Sequence, residues 1–214
     1  MIEKHLFECY NFNRKNSGGS MNKVEVFKKE FGYIKNESYG IDARYLVDSL
    51  PDYFFEVPAS STGKYHPKFA LGDMGLVRHT KVAVRIAYEL LSNPIIGGKY
   101  TDREKDLMII ALILHDGLKS GKEKSQYTKV EHPLYVSEHI KDNMDNLSMD
   151  DEDIEFICDV IESHMGPWNK DFDGNEVLPI PKTKYQNFVH MCDYLASRKF
   201  IDVSFDENNN IVEE

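Results

Sequence analysis

Hydrophobic positions along the chain recur mainly with the spacing of helices that bury one face. One such stripe runs from His79 to Leu90 at positions i, i+4, i+7 and i+11, and Asn93-Pro94 follows it. Thr101 with Glu104 three residues later predicts a capping box at the start of the next helix. That helix contains the apolar run 107–114, so the sequence places His115 at its carboxyl end.

Weaker periodicities and stop signals predict the remaining elements. Pro51 ends one predicted helix, a proline-bounded polar loop covers 58–67, and Ser148 or Asp150 caps a helix with an apolar stripe from Ile154 to Ile161. Further helices are predicted over 23–31, 42–50, 131–143 and 182–198. The alternating tail with its Asn-rich turn favours a small C-terminal β-hairpin. The predicted fold class is an all-α helical bundle with this possible hairpin.

Composition and charge narrow the class of protein. Thirty-six acidic against 26 basic residues give a formal charge of −10, which argues against a non-specific nucleic-acid binder. The run 107–114 is too short to cross a bilayer, and the first residues show no secretory signal pattern, so we expect a cytoplasmic protein without a membrane partner. Cys9, Cys158 and Cys192 form no CxxC pair, so neither a disulfide framework nor a zinc knuckle is expected.

Histidine is the informative residue, since several of the eight histidines, and aspartates with them, stand at or near predicted helix ends. Imidazole nitrogens and carboxylate oxygens bind divalent transition metals, Mg²⁺ and Mn²⁺. The adjacent pair His115-Asp116 leaves one helix terminus, so both side chains can reach one or two neighbouring ions. Two ions about 3.5–4 Å apart can share a carboxylate and neutralise the charge of a phosphate.

The order His79, His115-Asp116 and Asp193 resembles the HD-domain superfamily of metal-dependent phosphohydrolases. The stretch GLVRHT at 75–80 is similar to the entry motif of that family, and 115–119 match its HD-x-x-K form. The loop PASSTGKYHP before this motif is similar to HD proteins related to 3′-to-5′ exoribonucleases and their bacteriophage-encoded relatives, so the host cytoplasm is one expected location. Met74 and Met165 depart from the pattern, where relatives have glycine and a second histidine.

The resemblance implies an HD domain over 75–198, with a flexible arm over 1–22, an extension over 23–74 and a hairpin or tail over 199–214. It implies two divalent metals per chain, drawn from Mn²⁺, Fe²⁺, Mg²⁺ and Ni²⁺. The implied ligands of the first metal are His79, His115, Asp116 and Asp193; those of the second are His132 and His164, with Asp116 as the bridge. A hydroxide between the metals would attack phosphorus, and Lys119 would hold a phosphate oxygen.

Other polar residues are candidates for the surroundings of such a site. Ser61, Lys64 and His66 are interpreted as lining a substrate pocket, and Arg198 with Lys199 as binding a substrate phosphate. His190 and His139 are candidates for orienting the ligands. Trp168 and Tyr65 could stack on a base, although ordinary packing explains each of them as well.

Three interpretations of function stay open. The first is hydrolysis of a phosphate ester of a nucleotide or of a nucleic-acid 3′ end, with a small phosphorylated substrate favoured because the chain is acidic. The second is a non-catalytic module that binds metal and nucleotide. The third is a nucleotidase or a triphosphohydrolase of (deoxy)nucleotides. The sequence sets neither the substrate nor the oligomeric state.

Overall fold

The computed structural model describes residues 21–213, and within that range the chain folds into α-helices without any β-strand. The helices are α1 (Lys23–Val26), α2 (Lys28–Phe31), α3 (Glu37–Ser49), α4 (Gly75–Ser92), α5 (Pro94–Gly97), α6 (Asp102–Leu114), α7 (His132–Asp142), α8 (Asp151–Glu162) and α9 (Lys184–Ala196). Short 3₁₀ turns cover Asp52–Phe55, Lys68–Ala70 and Met144–Asn146. The all-α prediction is confirmed.

Helix α6 is the centre of the bundle. It begins at the predicted capping box, in which the Thr101 side chain accepts from the Glu104 N–H and the Glu104 side chain accepts from the Thr101 N–H. Every residue from Asp106 to Leu114 is buried, which is typical of a helix surrounded by other helices. It packs against α3, α4, α8 and α9. The residues that follow Leu114 therefore emerge in the interior of the protein.

The helices around α6 are paired by their apolar faces. Helix α4 packs against α6 and α9, and α7 packs against α8. Asp150 caps α8 by accepting from the Asp153 N–H, which decides between the two predicted caps. Thr183 and Gln186 form a second capping box at the start of α9. These caps satisfy backbone N–H groups at the helix starts and so define where α8 and α9 begin.

Three predicted elements differ from the structure. The helix predicted over 23–31 is interrupted at Phe27, whose φ of −104° and ψ of 18° are not helical. The helix predicted over 42–50 begins earlier, at Glu37, because the Asn36 side chain accepts from the N–H groups of Ser38 and Tyr39. The expected C-terminal hairpin is reduced to one isolated antiparallel bridge between Phe205 and Ile211.

Further sequence-based predictions concern position 74, the cysteines, membrane spans and the N-terminal arm. Met74, which replaces the glycine of the family pattern, directly precedes α4. Its φ is 57°, in the left-handed region that favours glycine. Cys158 and Cys192 are buried free cysteines. No helix between residues 21 and 213 is long and apolar enough to cross a membrane. The predicted arm over 1–22 and Cys9 lie almost wholly outside the described residues.

Candidate metal centre

Five segments of the bundle bring six of the predicted ligands to one point in the interior. The side chains come from the first turns of α4 (His79), the end of α6 (His115 and Asp116), the start of α7 (His132), the end of α8 (His164) and the third turn of α9 (Asp193). Five of the six side chains are at most 1 % exposed, and Asp193 is 18 % exposed. The cluster therefore meets solvent on the side of Asp193.

The carboxylate of Asp116 lies at the centre of this cluster. Its Oδ2 is 3.7 Å from the Nε2 of His79 and 3.4 Å from the Nε2 of His115. Its Oδ1 is 2.9 Å from the Nε2 of His132 and 3.8 Å from the Nε2 of His164. The two oxygens of one carboxylate thus face two different pairs of histidines.

Asp193 completes the first of these two sets. Its Oδ1 is 2.9 Å from the Nε2 of His79, within a hydrogen bond, and 3.5 Å from the Nε2 of His115. One candidate ligand group consists of His79, His115 and Asp193, and another of His115, Asp116 and His164. Within each group the ligand atoms all lie within 4.8 Å of one another.

Three of the histidines are oriented by the same local hydrogen bond. Each donates its Nδ1–H to the backbone carbonyl three residues earlier, at a distance of 2.7 Å: His115 to Leu112, His132 to Lys129 and His164 to Ile161. An imidazole that donates from Nδ1 presents the lone pair of Nε2 on its opposite side. The three rings therefore turn an Nε2 atom that could bind a metal toward Asp116.

Several polar atoms at the centre are buried and unsatisfied. Among the described residues, the Nε2 atoms of His115 and His132 and the Oδ1 of Asp116 make no hydrogen bond. An unpaired buried polar group costs about 1–3 kcal/mol, so three at one point need a physical reason. Lone pairs that converge without a hydrogen between them are what a divalent cation binds. The donor set therefore fits the metals that the family resemblance implies.

The electrostatic field at the centre favours positive charge. Burial lowers the pKa of His115, but the carboxylates of Asp116 and Asp193 outweigh burial and raise this pKa to about 10. Burial raises the pKa of Asp116, but Lys119 and His115 hold it well below its usual range. His164 differs, since burial lowers its pKa to about 3 and keeps the ring neutral. A positive charge is stabilised here, and the neutral ring of His164 is available to bind a cation.

Two further predicted residues lie beside the cluster. The Nζ of Lys119 is 2.5 Å from the Oδ2 of Asp116, and its side chain is 13 % exposed. His66, on the loop before α4, packs edge-on against His79 with ring centroids 4.9 Å apart. Its Nδ1 is buried without a hydrogen bond among the described residues, and burial lowers its pKa to about 2. Both residues are partly exposed, and each contacts one of the candidate ligands.

The other predicted residues lie at varying distances from the ligands. His190 donates its Nδ1–H to the backbone carbonyl of His164, at 2.7 Å, so it touches a ligand-bearing segment. His139 instead pairs with the Ser49 hydroxyl, 2.8 Å away. Ser61 and Lys64 lie on the loop 58–67 without a described side-chain contact to the cluster. The guanidinium of Arg198 lies over the ring of Tyr194, 4.1 Å from its centroid.

Sequence reasoning missed two residues around the cluster. Tyr194 contacts His190, Trp168 and Arg198, although only its position directly after Asp193 could have drawn attention to it. Gly166 has a φ of +60°, and a Cβ there would lie 2.3 Å from Cε1 of His190. This glycine gives the His190 ring its space beneath His164.

Comparison with known proteins finds a distant relative. The chain is 29 % identical over 157 residues to a protein named 3′-5′ exoribonuclease YhaM from Listeria welshimeri serovar 6b. The match covers 68 % of this chain and 47 % of the relative, so it spans about half of the relative's length. No family model matches the chain. No solved structure matches it either.

Proposed function

We propose that the chain is a metal-dependent phosphohydrolase that cleaves a phosphodiester of a nucleotide or of a nucleic-acid 3′ end, with 75–198 as the catalytic domain. The observation that carries this proposal is the position of Asp116, whose two oxygens face separate pairs of histidines. A carboxylate placed in this way suits the bridge of a two-metal site. His79, His115 and Asp193 would hold one ion with Asp116, and His132 and His164 the other.

The divalent ions, when bound, would activate a water and neutralise developing charge on the phosphate. The protein's own residues set the geometry. Bonds from Nδ1 to the backbone keep the rings of His115, His132 and His164 aimed at Asp116. Lys119, whose side chain is 13 % exposed, is the cation that would hold a non-bridging phosphate oxygen, because a lysine ammonium is a common point charge for phosphate. No side-chain nucleophile is needed.

The substrate class follows from the relative and from charge. The relative is named an exoribonuclease, which supports a phosphodiester at an RNA 3′ end or a nucleotide derived from one. The formal charge of −10 disfavours a long polyanionic duplex and favours a short strand or a single nucleotide. We therefore propose a short 3′-terminal segment as the substrate, with a 5′-nucleotide as the product.

The first experiment measures bound metal in the purified protein together with hydrolysis of bis-p-nitrophenyl phosphate and p-nitrophenyl phosphate in Mn²⁺. About two metals per chain with cleavage of the diester is the expected result. About one metal without turnover of either ester would remove His132 and His164 from the ligand set and refute the two-metal mechanism. With nucleotide substrates, release of orthophosphate or tripolyphosphate instead of a 5′-nucleotide would identify a nucleotidase or a triphosphohydrolase.

The second experiment replaces the central carboxylate. Asp116→Ala is expected to abolish metal binding and diester cleavage while far-ultraviolet circular dichroism keeps its helical signal. Asp173→Ala is the matched control, because Asp173 is an exposed aspartate on a turn outside the cluster. Measurable turnover in a folded Asp116→Ala protein would contradict the proposed mechanism.

A further inference from the structure

An aromatic ladder lies on the surface next to the candidate centre. The ring of Trp168 stacks on that of Tyr194, with centroids 5.8 Å apart and planes 14° from parallel. The guanidinium of Arg198 lies 4.1 Å from the centroid of the same Tyr194 ring. In spite of this stacking, 53 % of Trp168 remains exposed. The ladder therefore offers an open indole surface to a flat ligand.

The ladder is built on the two segments that carry His164 and Asp193. Tyr194 follows Asp193 directly on α9, and Trp168 follows His164 by four residues after the turn at Gly166. Arg198 is five residues beyond Asp193 and two residues past the end of α9. These short connections place the ladder beside the two segments that carry His164 and Asp193.

His190 joins the ladder to the candidate ligands. Its ring centroid is 6.3 Å from Trp168 and 6.0 Å from Tyr194. Its Nδ1–H is donated to the carbonyl of His164. The rings of the ladder and the ligand-bearing turn are therefore held by one common side chain, so their relative position is fixed by packing.

The charge of the ladder also indicates what it would bind. Within residues 21–213, Arg198 donates hydrogen bonds to neutral acceptors, the carbonyl of Tyr194 and the hydroxyl of Ser197. Its positive charge is therefore not matched by a carboxylate in that range, in a chain that is acidic as a whole. An exposed indole stacked on a tyrosine whose ring also carries a guanidinium matches a neutral heterocycle attached to a phosphate.

We propose that Trp168, Tyr194 and Arg198 form a stacking platform for the base of the nucleotide whose phosphodiester is cleaved. This inference rests on the proposed function and specifies how its substrate is held. Because every base has a flat π surface, the platform binds purines and pyrimidines with modest preference. It distinguishes substrates that carry a base from those that lack one.

The experiment uses Trp168 as its own reporter, since it is the single tryptophan of the chain. The full-length protein is titrated with AMP, with UMP and with ribose 5-phosphate while intrinsic tryptophan fluorescence is recorded. Quenching by both nucleotides and none by ribose 5-phosphate is the expected result. Equal responses to all three ligands, or no response to any, would overturn the platform.

A kinetic test follows the same surface. Trp168→Ala is expected to raise KM for a short RNA about 10- to 100-fold with little change in kcat, and Trp168→Phe to restore most of the loss. An RNA with an abasic 3′-terminal residue is expected to show no difference between wild type and Trp168→Ala. Phe172→Ala is the matched control, because Phe172 is 98 % exposed and makes no ring contact in the described residues.

The two proposals fail in different ways. If the wild type cleaves RNA and the KM of Trp168→Ala is unchanged, the platform is wrong and the phosphohydrolase assignment stands. If the wild type cleaves nothing but AMP and UMP still quench Trp168 selectively, the proposed reaction fails and the base-binding surface stands.

Discussion

The turn at Gly166 gives a quantitative test of how the ring of His190 supports the His164 segment. In Gly166→Ala the new Cβ would lie 2.3 Å from Cε1 of His190 and 2.7 Å from its Nδ1, so the imidazole must move. Its 2.7 Å hydrogen bond to the His164 carbonyl is then lost.

Two energies add in this variant. A non-glycine residue at a φ of +60° costs about 1–2 kcal/mol. An unpaired buried carbonyl or imidazole costs about 1–3 kcal/mol more. The total is a loss of about 2–5 kcal/mol in the free energy of unfolding. For a chain of this length, that loss corresponds to a melting temperature lower by about 5–15 °C.

A double-mutant cycle separates the two energies. The four proteins are the wild type, Gly166→Ala, His190→Ala and the double variant, each unfolded with urea in the presence of a chelator. Once His190 is replaced by alanine, the methyl group added at position 166 has room, so we expect Gly166→Ala to cost only the backbone energy of about 1–2 kcal/mol. The expected coupling energy between the two positions is therefore about 1–3 kcal/mol.

The result that refutes this reasoning is a coupling energy near zero, with Gly166→Ala equally destabilising in both backgrounds. That outcome would mean that His190 does not restrict position 166. A separate titration of Mn²⁺ is expected to show about 10- to 100-fold weaker binding in Gly166→Ala, as for other residues that support metal ligands.

Three further predictions concern stability. Gly75→Ala is expected to lower the free energy of unfolding by about 3 kcal/mol, measured by urea titration, because its Cβ would lie 2.3 Å from the carbonyl oxygen of Ala70; a loss below about 1 kcal/mol would contradict this contact. Burial lowers the pKa of His139 below 6.5, so the unfolded chain takes up a proton that the folded chain resists, and stability falls as pH drops below 6.5. In His139→Gln, urea titrations at about pH 7 and about pH 5 should differ less than in the wild type, and an unchanged difference would argue against this cause. Removal of metal by a chelator should lower the melting temperature by about 5–10 °C when the ion had been present at about 100 times its dissociation constant, and readdition of Mn²⁺ but not of K⁺ should reverse the change.

The sequence was most informative where a signal is local. The Thr101–Glu104 capping box and the stop at Asn93-Pro94 depend on residues within one helical turn, and both are present in the structure. The sequence pattern predicts a start at Asp42 rather than after the N-cap Asn36, because Gly40 and the aromatic residues nearby weaken the helical pattern. The hairpin was overestimated because the alternation in the tail describes exposed residues as well as it describes a strand.

Convergence of the candidate ligands could be predicted only through the family motifs. The sequence predicts that His132 and His164 stand at helix ends. It does not predict that both approach one oxygen of Asp116, because this depends on the packing of α7 against α8. Contacts between surface residues that are far apart in the chain are even harder to predict from the sequence. The stacking of Trp168 on Tyr194 depends on the turn at Gly166, and no periodicity in the sequence reports it.

The hydrogen bonds from imidazole Nδ1 to a carbonyl three residues earlier have a consequence for how such a centre can change. The orientation of each ring is determined within its own turn. Its hydrogen-bond acceptor is only a backbone oxygen, that of Leu112, Lys129 or Ile161. Substitution of those three side chains therefore leaves the orienting bond in place. Each ligand behaves as a short, separable module of four residues. A helical bundle can alter its surrounding core extensively and still present the same three nitrogens, provided that the helix ends continue to meet.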